Sequence, residues 1–237
     1  MKELFNKLYS GTKNEFFSFL SEKIQKKEKM FIVTANPETF MTAQKDIELK
    51  NLLLDTNTTV LADGIGIVKG AKILGTAIPD RIAGVEVAEQ LLYLANKYSK
   101  KVYFLGSTQN VLDKLCQVIS KKYPNINVVG AMHGYTEDKD IIFNDINIKA
   151  ADIVLVALGV PAQEKLINKH ISCFEKGIFI GVGGSLDVLS GTKKRAPKLF
   201  IKCNLEWLYR ILKEPSRIKR FYNNNVKFII KLSRYKN

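Results

Sequence analysis

The 237-residue chain has only two histidines, His133 and His170, and three cysteines, Cys116, Cys173 and Cys203, none close to another. So few histidines leave little room for a histidine-based metal centre or a catalytic triad. Three widely spaced cysteines fit neither a disulfide framework nor a zinc site and point to reduced thiols. No apolar run approaches the roughly 20 residues that a membrane-spanning helix requires. The N-terminal stretch MKELFNKLYSGTKNEF lacks the continuous apolar core of a secretory signal. There is no internal repeat and no low-complexity linker.

The bulk composition, 46% hydrophobic and 25% charged, is that of an ordinary globular protein. Its charge is unevenly placed. From Thr192 to the end there are fourteen Lys and Arg against two acids, Glu206 and Glu214, so this stretch carries +12 of the formal +14. Such asymmetry predicts a polyanionic partner for the tail, either nucleic acid or an anionic membrane surface.

Residues 12–28 read as a helix with Phe16, Phe17, Leu20 and Ile24 on one side, close to the helical period. An alternating pattern follows. Strands are predicted at 30–35, 60–62, 102–105, 127–132, 152–158 and 177–182. The helices between them include one running from Pro37 to about Asp55 and one opened by Thr136-Glu137-Asp138. Strands alternating with helices of ten or more residues predict an α/β fold: a Rossmann-like, mostly parallel sheet with helices on both faces. The division expected is an α/β catalytic domain over 1–191 and a basic amphipathic C-terminal appendage over 192–237. In the appendage, Leu205, Leu208 and Leu212 share a helical face, Pro215 breaks the helix, and Ile218, Phe221, Tyr222, Ile229 and Leu232 alternate with Lys and Arg. That mixture fits an interfacial amphipathic helix, and it also fits a helix docked on the body with a solvated basic face.

The short strand Val60–Ala62 delivers Asp63 to a turn flanked by Gly64 and Gly66. In an open α/β sheet, ligands bind beyond the carboxyl ends of the strands, so this acid is a candidate for chemistry. Its alternative is to cap the helix that follows. Other strand ends offer Thr34, Asn36, Gly106-Ser107, Tyr135, Gln163 and Gly183-Gly184-Ser185 with Asp187, a polar, glycine-lined set suited to a nucleotide or sugar. The run Gly64-x-Gly66-x-x-x-Gly70 misses the dinucleotide fingerprint by one residue, so NAD is not expected. Asp138-Lys139-Asp140 matches the D-x-D pattern that can hold a divalent metal, but acids at a helix start also favour the positive end of the macrodipole. No metal is therefore assigned. A diphosphate leaving group without a metal needs cations, which Arg81, Arg195, Arg210, Arg217 and Arg220 could supply.

The segments TANPE (34–38), ADGIG (62–66), RIAG (81–84), LGVPAQE (158–164), GGSLDVLSG (183–191), RAP (195–197) and LEWLYR…EPxRxxRF (205–221) together resemble the bacterial WecG/TagA/CpsF glycosyltransferases. The resemblance runs in order from about residue 30 to about 222. It implies an inverting transfer of N-acetylmannosamine, or a close relative, from a UDP-sugar donor to undecaprenyl-diphosphate-linked N-acetylglucosamine for wall teichoic acid or surface polysaccharide. By the same resemblance Asp63 is the general base, and Thr34, Asn36, Arg81, Gln163, Arg210, Arg217 and Arg220 bind substrate. Gly106, Ser107, Tyr135, Gly184 and Asp187 hold the nucleotide. The resemblance further implies no cofactor or metal, a peripheral place on the inner face of the cell membrane, and possible homo-oligomers. A competing reading is a nucleic-acid-binding α/β protein that uses Trp207, Tyr209, Phe221 and Tyr222 of the tail as stacking groups. A soluble nucleotide-sugar enzyme such as an epimerase is a third.

Overall fold

Six parallel strands form one sheet: β1 (Lys29–Ala35), β2 (Thr58–Ala62), β3 (Lys101–Gly106), β4 (Asn127–Met132), β5 (Ile153–Ala157) and β6 (Gly177–Gly181). They lie in the order β2-β1-β6-β5-β3-β4 in the computed structural model, which describes residues 1–136 and 138–233. Helices cover both faces, and the inner strands are buried along nearly their full length, as continuous apolar strands of a parallel sheet must be. One face packs on Leu49, Leu53, Ile67, Phe143 and Ile167. The other packs on Phe16, Leu20, Leu91, Leu112 and Leu115.

Local sequence sets most element ends. Thr12 and Glu15 form a capping box at the helix Lys13–Gln25, each satisfying a backbone donor that the first turn leaves unpaired. Asn36 caps Pro37–Ala43, with Pro37 at its first position, where a missing N–H costs nothing. The single helix expected from Pro37 to Asp55 is two. The chain breaks at Gln44–Asp46, and Asp46 caps a second helix, Ile47–Leu54, by accepting from the N–H of Leu49 at 3.1 Å. Asp138 likewise caps Lys139–Ile148, while Glu137 of the predicted helix start lies outside the described residues.

Pairing in the sheet brings the carboxyl ends of the strands to one level. Ala35 lies beside Ala62, Val33 beside Gly181, Val156 beside Gly181, and Gly106 beside Ala157. β3 leads outward to β4, whereas β5 leads back to β6, so the order reverses between β3 and β5. That reversal is where the crevice of a doubly wound sheet opens.

The C-terminal segment folds as Lys198–Lys202, Glu206–Lys213, Arg217–Phe221, a wide helical turn over Tyr222–Val226, and Lys227–Ser233. Its far end returns to the body. Phe228 and Leu232 are buried, Phe228 with its ring 6.2 Å from Phe5 and 6.4 Å from Phe40. Between the docked ends, Leu212, Ile218 and Tyr222 are exposed, as is Ile229 on the final helix. Among the described residues no helix is long and apolar enough to cross a membrane.

Candidate active site

Asp63 follows the last residue of β2, and its backbone N–H donates to the carbonyl of Ala35 at 2.8 Å, extending the β1–β2 pairing by one step. The helix after it, Ile65–Ile73, is capped by Gly64 without any side-chain bond. Asp63 therefore does not cap the helix that follows it. Its Oδ2 instead accepts from the backbone N–H of Gly84 at 3.3 Å, at the start of the helix Gly84–Lys97. Gly64 has φ +106°, and a Cβ at Gly66 would lie 2.9 Å from Pro37. Glycine at both positions lets the turn close against the start of the Pro37 helix.

Asp63 is half-buried as a residue, and its carboxyl is closely surrounded by protein. Desolvation raises its pKa from the ordinary carboxylate value, against the opposing pull of Arg81, the Gly84 N–H and Arg210, and with the help of Glu206. An acid held in this way is a stronger base than a solvated one, a property a general base can use.

Arg81 reaches this corner from the loop before Gly84. Its Nη1 donates to Asn204 Oδ1 at 3.5 Å and its Nη2 to Glu206 Oε2 at 3.2 Å, and Arg210 donates to the other oxygen of Glu206 at 2.7 Å. Glu206 is buried, which opposes its charge. Arg210, Arg81 and Arg195 outweigh that burial and hold its carboxyl below the usual range. Arg195 is in turn anchored to Glu86 and Glu89 on the Gly84–Lys97 helix. Glu206 and Asn204 carry none of the roles read from the sequence. The signals for Glu206 were its place in the LEWLYR segment and its being one of two acids in a strongly basic tail.

Thr34 and Asn36 end β1 at the same corner. Thr34 Oγ1 donates to the Gly181 carbonyl at 3.3 Å and packs against Gly84, while Asn36 Oδ1 accepts from the N–H and hydroxyl of Thr39. Gln163 is buried and acts as a brace. Its Oε1 accepts from Gly159 N–H and Gly183 N–H, both at 3.1 Å, tying the turns after β5 and β6, and its Nε2 donates to Glu164 at 2.8 Å. Glu164 is buried with its second oxygen unpartnered, and burial pushes its carboxyl up to about 7.

The glycine-rich ends gather at the strand-order reversal. Gly106 has φ +113°, and a Cβ there would overlap the Ala157 carbonyl. Ser107 N–H donates to Ala157, Gly134 N–H donates to the Ser107 carbonyl, and Ser107 Oγ donates to Asp187 Oδ2 at 3.4 Å. Gly184 has open space around it and starts the helix Ser185–Leu189, which carries Asp187. Tyr135 is 76% exposed, its side chain directed outward next to His133.

The structure thus gathers Asp63, Thr34, Asn36, Arg81 and Arg210 at one end of the sheet edge and Gly106, Ser107, Gly184 and Asp187 at the other. Gln163 lies between them, and Tyr135 is exposed next to Gly134, which bonds to Ser107. β1 and β3 are three strand spacings apart, about 14 Å at ~4.8 Å each, so a ligand touching both groups must be elongated. Arg217 and Arg220 lie in the helix Arg217–Phe221, and their side chains are outside the described part of the structure. The D-x-D acids have structural partners: Asp138 caps its helix, and Asp140 pairs with Lys169 and His170. Among the described residues no group of three or more His, Cys, Asp or Glu could hold a metal ion.

The chain is 39% identical over 206 residues to the N-acetylglucosaminyldiphosphoundecaprenol N-acetyl-beta-D-mannosaminyltransferase of Bacillus subtilis (strain 168), covering 86% of this chain and 80% of that protein. The identically named protein of Bacillus spizizenii is 38% identical over 80% of this chain and 74% of its own. That of Staphylococcus aureus (strain MW2) is 37% identical over 90% of this chain and 83% of its own. The profile of the glycosyl transferase WecG/TagA/CpsF family matches residues 4–237. With a match of that extent, the chain belongs to the WecG/TagA/CpsF glycosyltransferase family.

Proposed function

We propose that the protein transfers N-acetylmannosamine, or a close relative, from a UDP-linked donor to undecaprenyl-diphosphate-linked N-acetylglucosamine, in a single inverting displacement with Asp63 as general base. The observation that carries this reading is the Asp63 carboxyl: desolvated, held by Gly84 N–H and under the charges of Arg81 and Arg210. The names of the relatives supply the acceptor and the sugar.

In this mechanism Asp63 takes the proton of the acceptor hydroxyl as that oxygen attacks the anomeric carbon, a role worth about 10²–10⁴-fold in rate. The bond to the donor diphosphate breaks on the opposite side, and the departing charge needs fixed cations. Arg81 and Arg210 stand beside the base, and Arg217 and Arg220 belong to the same motif. The glycine ends near Gly106 and Gly184, with Ser107, Tyr135 and Asp187, hold the nucleotide. Gln163 serves substrate by fixing the turns on both sides of it.

The segment 192–237 completes the site and meets the membrane. Exposed Leu199, Leu212, Ile218, Tyr222 and Ile229 lie among lysines and arginines, and each basic residue near an anionic leaflet contributes about 1 kcal/mol. The nucleic-acid reading is less well supported, because Trp207 and Phe221 stack on each other at 4.5 Å and so cover faces a base would need. UDP release, measured across a panel of donor sugars with a lipid-linked N-acetylglucosamine acceptor, tests the proposal. Release with UDP-N-acetylmannosamine that depends on the acceptor is expected. Its absence with every UDP-sugar, alongside tight salt-sensitive oligonucleotide binding, would overturn it.

A further inference from the structure

We infer that Glu206 is a positioning residue whose carboxylate bridges Arg81 of the body to Arg210 of the C-terminal segment and so fixes both guanidinium groups beside Asp63. Each oxygen of Glu206 serves one arginine, at 3.2 Å for Arg81 and 2.7 Å for Arg210. The residue is 8% exposed and is one of only two acids in the basic tail. Burying a carboxylate is costly unless it is paired and hydrogen-bonded, and both conditions are met here. Arg81, Arg210 and the nearby Arg195 carry like charges into one corner. Without an anion between them they would repel, and Arg210, with about half of its side chain in solvent, is free to swing away. A guanidinium has five N–H donors, so bonding to Glu206 leaves each arginine able to bind a further anion. Glu206 thus arranges the cations without using them up. Asn204, which accepts from Arg81 at 3.5 Å, supports the same docking from the turn before the helix.

The inference rests on the proposed roles of Asp63 and the arginines, so its test has a part that needs no turnover. Amide hydrogen exchange of residues 204–213 is followed in the full chain and in Glu206→Gln, which keeps the shape and removes the charge. Exchange there is expected to speed up by about tenfold or more, with strand 153–157 unchanged as proof that the body is folded. Turnover is expected to fall about 10–100-fold in kcat, with the donor KM nearly constant because the nucleotide sits at the glycine end of the site. Glu206→Asp, which keeps the charge, restores most of both. Unchanged exchange in Glu206→Gln, or a loss confined to KM, overturns the inference. If Asp63→Asn retains full turnover, the catalytic reading fails instead, and the exchange result still decides whether Glu206 docks the segment.

Discussion

Asp63 and Gly84 meet across 21 residues of sequence: a carboxylate oxygen from the end of β2 accepts the first N–H of the Gly84–Lys97 helix at 3.3 Å. The start of a helix carries a partial positive charge, which stabilises the acid where it stands alongside the charges of Arg81 and Arg210. Among the described residues no cation forms a direct salt bridge to it. A neutral donor costs a general base less strength than a direct salt bridge would.

The first prediction concerns this acid. Asp63→Asn is expected to keep UDP binding and to lose at least about 100-fold in kcat. Because burial raises the carboxyl pKa and the base must be ionised to act, the acid limb of the wild-type kcat profile is expected above the ordinary aspartate value of about 3.9. A mutant with more than about a tenth of wild-type turnover would remove Asp63 from the mechanism.

A second prediction concerns Glu164, whose carboxyl is raised from 4.5 to about 7 by burial. The folded state then holds this proton more tightly than the unfolded state does. The associated stability is present below pH 4.5 and is lost as pH rises toward about 7. Glutamine mimics the protonated acid and cannot ionise. Glu164→Gln should therefore match wild type in thermal midpoint at about pH 4 and exceed it above about pH 7. Equal midpoints across that range would show that Glu164 is not held neutral.

Gly106 supplies a third. At φ +113°, with the Ala157 carbonyl where a side chain would begin, alanine must either strain the turn or push β3 and β5 apart. Gly106→Ala is expected to lower stability by more than about 1 kcal/mol and to weaken UDP binding, measured by denaturant titration and calorimetry. An alanine variant that binds UDP normally would separate this turn from the nucleotide site.

The fourth tests how the tail is anchored. Phe228 is fully buried against Phe5 and Phe40, a contact that costs about 3–5 kcal/mol to empty in a core. Phe228→Ala should release the last helix, seen as faster trypsin cleavage at Lys227 and Lys231, and Phe5→Ala should do the same from the other side. Cleavage at the wild-type rate in both variants would place the anchor elsewhere.

The sequence determined the six strands to within two residues at each end, the candidacy of Asp63 and the charge asymmetry of the tail. All of these depend on side chains within a few positions of one another, where helical and strand periods are written directly. It did not determine the break at Gln44–Asp46, where a run that could have continued as one helix is capped afresh by Asp46. Nor did it show that Tyr135 faces outward or that Gln163 spends its amide on Gly159 and Gly183.

The tertiary structure alone decided which helix Asp63 would meet, and that Glu206 would pair with Arg81 across 125 residues. A charge has no preferred partner in the linear chain. Pairing follows only when packing brings two side chains within a few ångströms and removes the water that would otherwise screen them.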